Sequence, residues 1–337
     1  MIILHAAGNE KIGLGNLTRV KALVKYLCSI KYNNFKVILE AREDIAKMFI
    51  VDDVDYFIAE NRKIAQKFLE DNMFNKSSEK LVLISDLVDM NYSDNEFYRR
   101  CGFDVLIQIN DENVNKFNPD IYINSDIFYQ EFNVNSQTKI YSGSKFLVVR
   151  DEILKQRPLE CWNKDKIENI LVCFGGSDPA RYTEDIVKLI RNNMVYDNYN
   201  FNVVLGPGVS DERKRELIKN ANNNIKFLVN EKHMERKIIE NDLIITLGGL
   251  TTYEALALGR PVCCIGWEYM NYYVDNLSKN NWIYKLGNKS KDLEGLEKCL
   301  LDIDRLKAIA SKGFKNINHR GAENMVNIAI KAEKGEI

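Results

Sequence analysis

Runs that are apolar at every position alternate with stretches of helical period, and the alternation starts afresh near the middle of the chain. "IILHAA" is followed by the helical "NLTRVKALVKYLCS", then by "FKVILEA", a helix around 43–50, and "VDYFIA"; "KLVLISD", "VLIQIND" and "IYINSD" come later. Strands apolar on both faces need cover on both faces. Alternating with amphipathic helices, they point to a parallel sheet sandwiched between helices. Asp86, Asp111 and Asp126 close three of the runs. Each therefore falls at the carboxyl end of a strand, where open α/β sheets bind ligands.

The restart sets the domain organisation. "KFLVVRDEILKQRPLECWNKDK" ends the first series, and the charged stretch around Arg157-Pro158 reads as a linker. "NILVCFGG" opens a second series: a helix from about 180, "FNVVLGPG", a helix after Asp211, "IKFLV", "DLIITLGG", another helix and "PVCCIGW". A chain of 337 residues is too long for one ordinary core and suits two domains of about 150 residues each. The expected division is a Rossmann-like domain over 1–150, a linker over 151–166 and a second Rossmann-like domain over 167–318. A final helix over 319–337, "GAENMVNIAIKAEK", is expected to cross back to the first domain.

Composition removes several classes of function. A formal net charge of −1 provides no field for nucleic acid or an anionic membrane. No apolar run approaches the ~20 residues of a membrane span. "MIILHAAGNEK" lacks a basic leader and is already strand-like, so no signal peptide is expected. The seven cysteines show no C-x-x-C spacing and lie mostly in apolar runs such as "LVCFGG" and "PVCCIGW", which reads as reduced thiols of a cytoplasmic protein. His5, His233 and His319 are the only histidines and are far apart; no metal site is expected.

Two glycine-rich strand ends in the second half are the candidate ligand sites. In "FGGSDPARYTED", Asp178 and Pro179 suit a helix start. Gly175, Gly176 and Ser177 also suit a turn that lets a ligand approach backbone N–H groups. In "DLIITLGGLTTYEALALGRPV", a buried strand ends in Gly248-Gly249 and a helix follows. Its amino end has unpaired N–H donors and partial positive charge, which suit a diphosphate. The hydroxyls of Thr251 and Thr252 would add donors, and Glu254 would accept the two hydroxyls of a ribose. The same spacing, Thr251-x-x-Glu254, also reads as a capping box in which Glu254 serves only the Thr251 N–H.

At these residues the chain resembles the donor half of GT-B nucleotide-sugar enzymes. It is most similar to the UDP-sugar hydrolases of pseudaminic acid biosynthesis and their spore-coat polysaccharide relatives. The peptidoglycan N-acetylglucosaminyltransferase is a more distant relative. "IGLGNLTR" resembles the family turn G-x-G-H-x-x-R at Gly13, Gly15 and Arg19, and "YSGSKFLVVRDEI" resembles the segment closing the first domain. The resemblance implies a GT-B fold, with two Rossmann-like domains facing across a cleft. It implies a diphosphate on the two glycine turns, ribose at Glu254, uracil against the backbone around His233-Met234, and donor-sugar hydroxyls near Asn271. A UDP-sugar is then a substrate, and no separate cofactor or metal is expected.

The departure from the family lies at Asn16, which stands where the hydrolases have histidine. A carboxamide orients a hydroxyl or a water but is no general base, a role that typically contributes ~10²–10⁴-fold. Asn16 also reads as an ordinary N-cap of the amphipathic helix that follows. If chemistry is retained, the base is sought among Glu10, Asp86 and Asp89, with Asp86 preferred because it ends a strand. His5 reads as packed inside the first strand, and Arg19 as an acceptor- or phosphate-binding group or a plain ion-paired one. An acceptor hydroxyl held by binding energy tolerates a weaker base better than free water does. The expected function is therefore an inverting glycosyltransferase that moves an N-acetylated sugar from UDP to a small-molecule or glycan acceptor. A UDP-sugar hydrolase and a non-catalytic nucleotide-sugar-binding subunit are the alternatives.

Overall fold

The computed structural model describes residues 1–72, 80–110, 114–127, 134–219, 222–317 and 320–337. The chain divides into two compact units. One comprises Met1–Asn9, Asn16–Val148 and His319–Ile337; the other comprises Glu10–Gly15 and Val149–Asn318. Asp111 and His319 lie outside the described residues.

The first unit is built on seven strands: β1 (Ile2–Ala7), β2 (Phe35–Glu40), β3 (Tyr56–Ala59), β4 (Val82–Asp86), β5 (Val105–Ile109), β6 (Ile121–Asn124) and β7 (Lys139–Ser142). Their order is β3-β2-β1-β4-β5-β6-β7, and every pairing is parallel. β1, β4, β5 and β6 are buried at every position, as strands covered on both faces must be. β1 sits where the order reverses, between β2 and β4. The chain leaves it through a turn into the helix Gly15–Ser29.

The last helix, Gly321–Glu333, belongs to this first unit. A methyl group on Gly321 would lie 2.1 Å from the Leu147 carbonyl oxygen, so glycine alone permits this approach. At the other end Glu333 is buried. Its carboxylate accepts from Asn34 Nδ2 at 3.0 Å and from the Tyr32 hydroxyl, and its backbone oxygen accepts from the Lys80 N–H.

The second unit repeats the plan with β8 (Asn169–Cys173), β9 (Asn200–Leu205), β10 (Ile225–Val229), β11 (Leu243–Thr246), β12 (Val262–Ile265) and β13 (Tyr284–Gly287). Their order is β10-β9-β8-β11-β12-β13, again parallel throughout. One core runs from Ile170 and Val172 through Phe201, Leu243 and Ile245 to Cys263 and Ile265. The stretch expected as a linker is part of this unit. Trp162 is buried in the core, and its backbone N–H donates to the Gly259 carbonyl at 2.8 Å. Its indole donates to Asp242 at 3.2 Å. A large apolar ring among charged neighbours anchors a segment whose average composition looks solvated.

All seven cysteines are free thiols. Cys173, Cys263, Cys264 and Cys299 are buried, whereas Cys28 is exposed. Among the described residues no helix is long and apolar enough to cross a membrane, and no group of three or more His, Cys, Asp and Glu could hold a metal ion.

Candidate functional site

The two glycine turns of the second unit leave neighbouring strands side by side. β8 and β11 are paired, with Cys173 opposite Thr246. Gly175 and Gly248 each follow two residues beyond that pair. β8 and β11 flank the place where the strand order reverses, which is where doubly wound sheets take their ligands.

Both turns need glycine. Gly248 has φ +90°, and a methyl group on it would lie 2.6 Å from Val274 Cγ2. Gly175 has φ +83° and open space where a side chain would be. Gly249 is the N-cap of the helix Leu250–Ala257 and likewise faces open space. Backbone N–H groups at this helix end are accessible to an anion in a way that side chains would prevent.

Asp178 shapes the first turn without being the N-cap itself. It has φ +46°, and its buried carboxylate accepts from the backbone N–H groups of Tyr182 and Thr183, both at 3.1 Å. Arg181 is the cap residue of the helix Tyr182–Arg191. Arg213, in the helix Asp211–Lys219, pairs with both Asp178 and Glu184. This is a structural clasp holding the Gly175–Gly176 turn.

The residues after Gly248-Gly249 divide into two kinds. The helix starts at Leu250, so Thr251 and Glu254 do not form the capping box that their spacing allows. The Thr251 hydroxyl reaches the Cys173 sulfur. Burial pushes that thiol up, and the Gly175 amide and Thr251 pull it back. Thr252 is fully buried with its hydroxyl 3.7 Å from Cys264 Sγ. It faces the core, which removes it from the expected ligand donors. Glu254 is 2% exposed, and its two carboxylate oxygens accept from Arg150 Nε at 2.6 Å and Nη2 at 2.8 Å. This fork-to-carboxylate pairing is the strong, oriented kind. Sequence reasoning missed Arg150: it lies 104 positions from its partner. Its only local signal is a cation closing the apolar run "KFLVV".

The loop Glu10–Gly15 lies on these same turns, within the second unit. A methyl group on Gly176 would meet Leu14 Cδ1 at 2.7 Å, and one on Gly15 would meet Leu250 Cδ1 at 3.9 Å. Ser177 Oγ is 3.5 Å from the Glu10 backbone oxygen, and the Tyr269 hydroxyl is 3.5 Å from the Ile12 oxygen. Gly13 has φ +80°, which fits the tight turn. Glu10 is exposed, and it is its backbone oxygen that lies at the Ser177 turn.

In the first unit, Asn16 is the second residue of its helix rather than the cap, and its Oδ1 accepts from Arg19 Nη2 at 3.1 Å. Arg19 in turn grips Asp86 with Nε–Oδ2 2.6 Å and Nη2–Oδ1 3.1 Å. Asp86 is 1% exposed. Burial raises its pKa, and Arg19 opposes that rise. With both oxygens bonded to a guanidinium, Asp86 is placed as the anchor of Arg19 and Asn16, not as the free base expected of it. Asp89 is exposed, in a left-handed turn with φ +58°. His5 is fully buried, with Nδ1 2.9 Å from the Tyr98 hydroxyl and Nε2 2.7 Å from Glu40 Oε1.

Two further expected residues stand on the second unit's other helices. Met234 opens the helix Met234–Glu240, and the exposed His233 is its cap. Asn271 is in the first turn of the helix Met270–Lys279, its backbone N–H donating to the Glu268 carbonyl at 3.2 Å. Met270 and Val274 of that helix pack at Gly248, so Asn271 stands on the element that lines the second glycine turn.

Residues 170–325 match the Glycosyltransferase family 28 C-terminal domain. The span holds both glycine turns, Met234, Glu254 and Asn271, and leaves out Glu10, Asn16, Arg19, Asp86 and Arg150. The chain is 28% identical over 277 residues, 77% of its length, to an uncharacterized protein of Methanocaldococcus jannaschii, of which the match covers 54%. It is 26% identical over 130 residues, 38% of its length, to the spore coat polysaccharide biosynthesis protein SpsG of Bacillus subtilis, of which 38% is covered. The chain thus spans about half the length, or less, of these curated relatives. The solved structure of Anabaena HepE in complex with UDP and glucose superposes with a TM-score of 0.61 at 12% identity, over 98% of this chain and all of that one. The fold is GT-B. The two parallel sheets with matching strand orders are the Rossmann-like domains of a GT-B chain, and the paired glycine turns lie in the one that the family 28 domain describes.

Proposed function

We propose that this GT-B chain is an inverting glycosyltransferase that takes an N-acetylated sugar from UDP and works in surface-glycan or glycoconjugate synthesis. The observation that carries the reading is the pair of glycine turns leaving β8 and β11 side by side, with Glu254 one turn into the second helix. The diphosphate rests on the N–H groups of Gly175–Ser177 and Gly249–Thr251, and the helix end stabilises it as it leaves. The family 28 match supports a nucleotide-sugar donor. The complex of HepE with UDP and glucose supports UDP as the carrier, and SpsG's name supports a polysaccharide product.

On the acceptor side, Glu10, whose backbone oxygen lies at the Ser177 turn, is assigned the role of base. Asn16 accepts from Arg19, which Asp86 anchors in turn, and its amide is assigned to orienting the acceptor hydroxyl. Gly13 and Gly15 give the loop its course over the donor turns, and Asn271 is assigned to donor-sugar hydroxyls. The test is incubation of the purified protein with UDP-sugars, with and without acceptors. UDP release that depends on an acceptor supports the transferase. Rapid formation of UDP and free sugar without acceptor overturns it in favour of a hydrolase. Calorimetric UDP binding with no turnover on any acceptor marks a binding subunit. Glu254→Ala with unchanged UDP affinity removes the donor-site assignment.

A further inference from the structure

Glu254 is assigned to a ribose, yet both of its oxygens already accept from Arg150. The two partners differ in their surroundings. The Glu254 side chain is 3% exposed, whereas that of Arg150 is 30% exposed and stands at the head of the short helix Asp151–Lys155. The cation is the partner with room to move. Both charges act on the Cys173 thiol, Glu254 raising its pKa and Arg150 lowering it. Cys173 is the last residue of β8, two residues before Gly175. Glu254 stands one turn into the helix Leu250–Ala257, so the guanidinium it holds lies near the amino end of the helix that opens at the Gly248-Gly249 turn.

The hydrogen-bonding chemistry makes an exchange self-consistent. A carboxylate only accepts and a guanidinium only donates. Ribose hydroxyls supply donors to the first, and a diphosphate supplies acceptors and negative charge to the second. A ligand that brings both leaves neither charge unpaired, which is the costly outcome for a buried ion.

We propose that the Arg150–Glu254 pair is a latch exchanged by the ligand: the two ribose hydroxyls of a uridine diphosphate replace the guanidinium on Glu254, and the released Arg150 pairs with the diphosphate. The latch rests on the donor-site reading above. It makes recognition conditional, because a nucleoside without phosphates opens the pair and offers Arg150 nothing in return.

Calorimetry with UDP, 2′-deoxy-UDP, uridine and inorganic pyrophosphate on the wild type, Arg150→Gln, Arg150→Lys and Glu254→Gln tests it. Arg150→Gln is expected to weaken UDP and pyrophosphate by about tenfold or more, the effect of a lost charge-assisted contact. It is expected to bind uridine at least as well as the wild type. Glu254→Gln abolishes the preference for UDP over 2′-deoxy-UDP and keeps pyrophosphate within about threefold. Should Arg150→Gln fail to fold, Arg150→Lys decides the question. It keeps the charge without the fork, so uridine tightens while pyrophosphate stays. Weakened uridine together with unchanged pyrophosphate in either Arg150 variant overturns the latch and leaves Arg150 as a support for Glu254. UDP binding that no Arg150 variant alters also overturns the latch alone. A wild type that binds neither UDP nor pyrophosphate removes the donor site, and the latch with it.

Discussion

Gly249 separates the two demands that act on a glycine in a ligand turn. Its φ of −82° is open to any residue, and no atom lies within 4 Å of where a methyl group would be. Gly248, one position earlier, combines a left-handed backbone with a close Val274. Substitution at Gly248 therefore acts through the fold, and substitution at Gly249 through the space in front of it. Gly249→Ala is expected to change stability by only a few tenths of a kcal/mol, the usual difference at an N-cap position being about that to 1. It is expected to weaken UDP about tenfold by standing where the phosphates approach. Thermal melting and calorimetry on the one variant check both halves. An unaltered affinity would place the phosphates elsewhere. The neighbouring threonines show why such distinctions escape a sequence. Thr251 and Thr252 look interchangeable as donors, yet consecutive helical positions lie about 100° apart, so one points to the strand end and the other into the core.

At the level of strands and helices, the alternating pattern is readable because buried parallel strands are apolar on both faces and stand out as continuous runs between amphipathic helices. "IILHAA", "KLVLISD", "NILVCFGG" and "DLIITLGG" all become strands at the centre of their sheets. Pairings across long separations are not readable. The Glu254–Arg150 pair spans 104 positions, and the Trp162–Asp242 bond spans 80 and starts in a stretch that reads as a linker. Asp242 closes that stretch onto the sheet. It accepts from Trp162, from Lys164 at 2.7 Å, and from the N–H groups of Glu168 and Asn169 at 3.0 Å each. Burial raises its pKa, but Lys164 and these donors outweigh burial and hold the carboxyl below its usual 3.8.

A carboxyl depressed in the folded state stabilises above its unfolded pKa, and that contribution disappears as pH falls through the lower, folded value. Wild-type unfolding is therefore expected to lose this contribution only below about pH 4. Asp242→Asn is expected to cost roughly 2 kcal/mol at pH 7, with the gap to wild type narrowing by pH 3. Urea unfolding of both proteins at the two pH values measures the gap, and a constant gap would show that the Asp242 charge carries none of it.

For the molecule as a whole, the chain passes between its two units four times, at 9–10, 15–16, 148–149 and 318–319. Every contact assigned to the nucleotide lies in one unit, including the loop Glu10–Gly15. Hydrogen exchange with and without UDP is expected to show added protection at 10–15, 174–178 and 247–254, with the strands β1 to β7 unchanged, because a bound ligand suppresses the local openings of the segments it contacts. Protection spread evenly over both units would speak against a site built on the second alone.

The allegiance of residues 10–15 also decides how the protein can be taken apart. A polypeptide beginning at Val149 would carry both glycine turns yet lack the six residues that cover Gly176 and bring Glu10 to Ser177. Dissection at the apparent boundary would thus yield a nucleotide binder stripped of its carboxylate, restorable only by supplying that hexapeptide in trans or splicing it on by circular permutation.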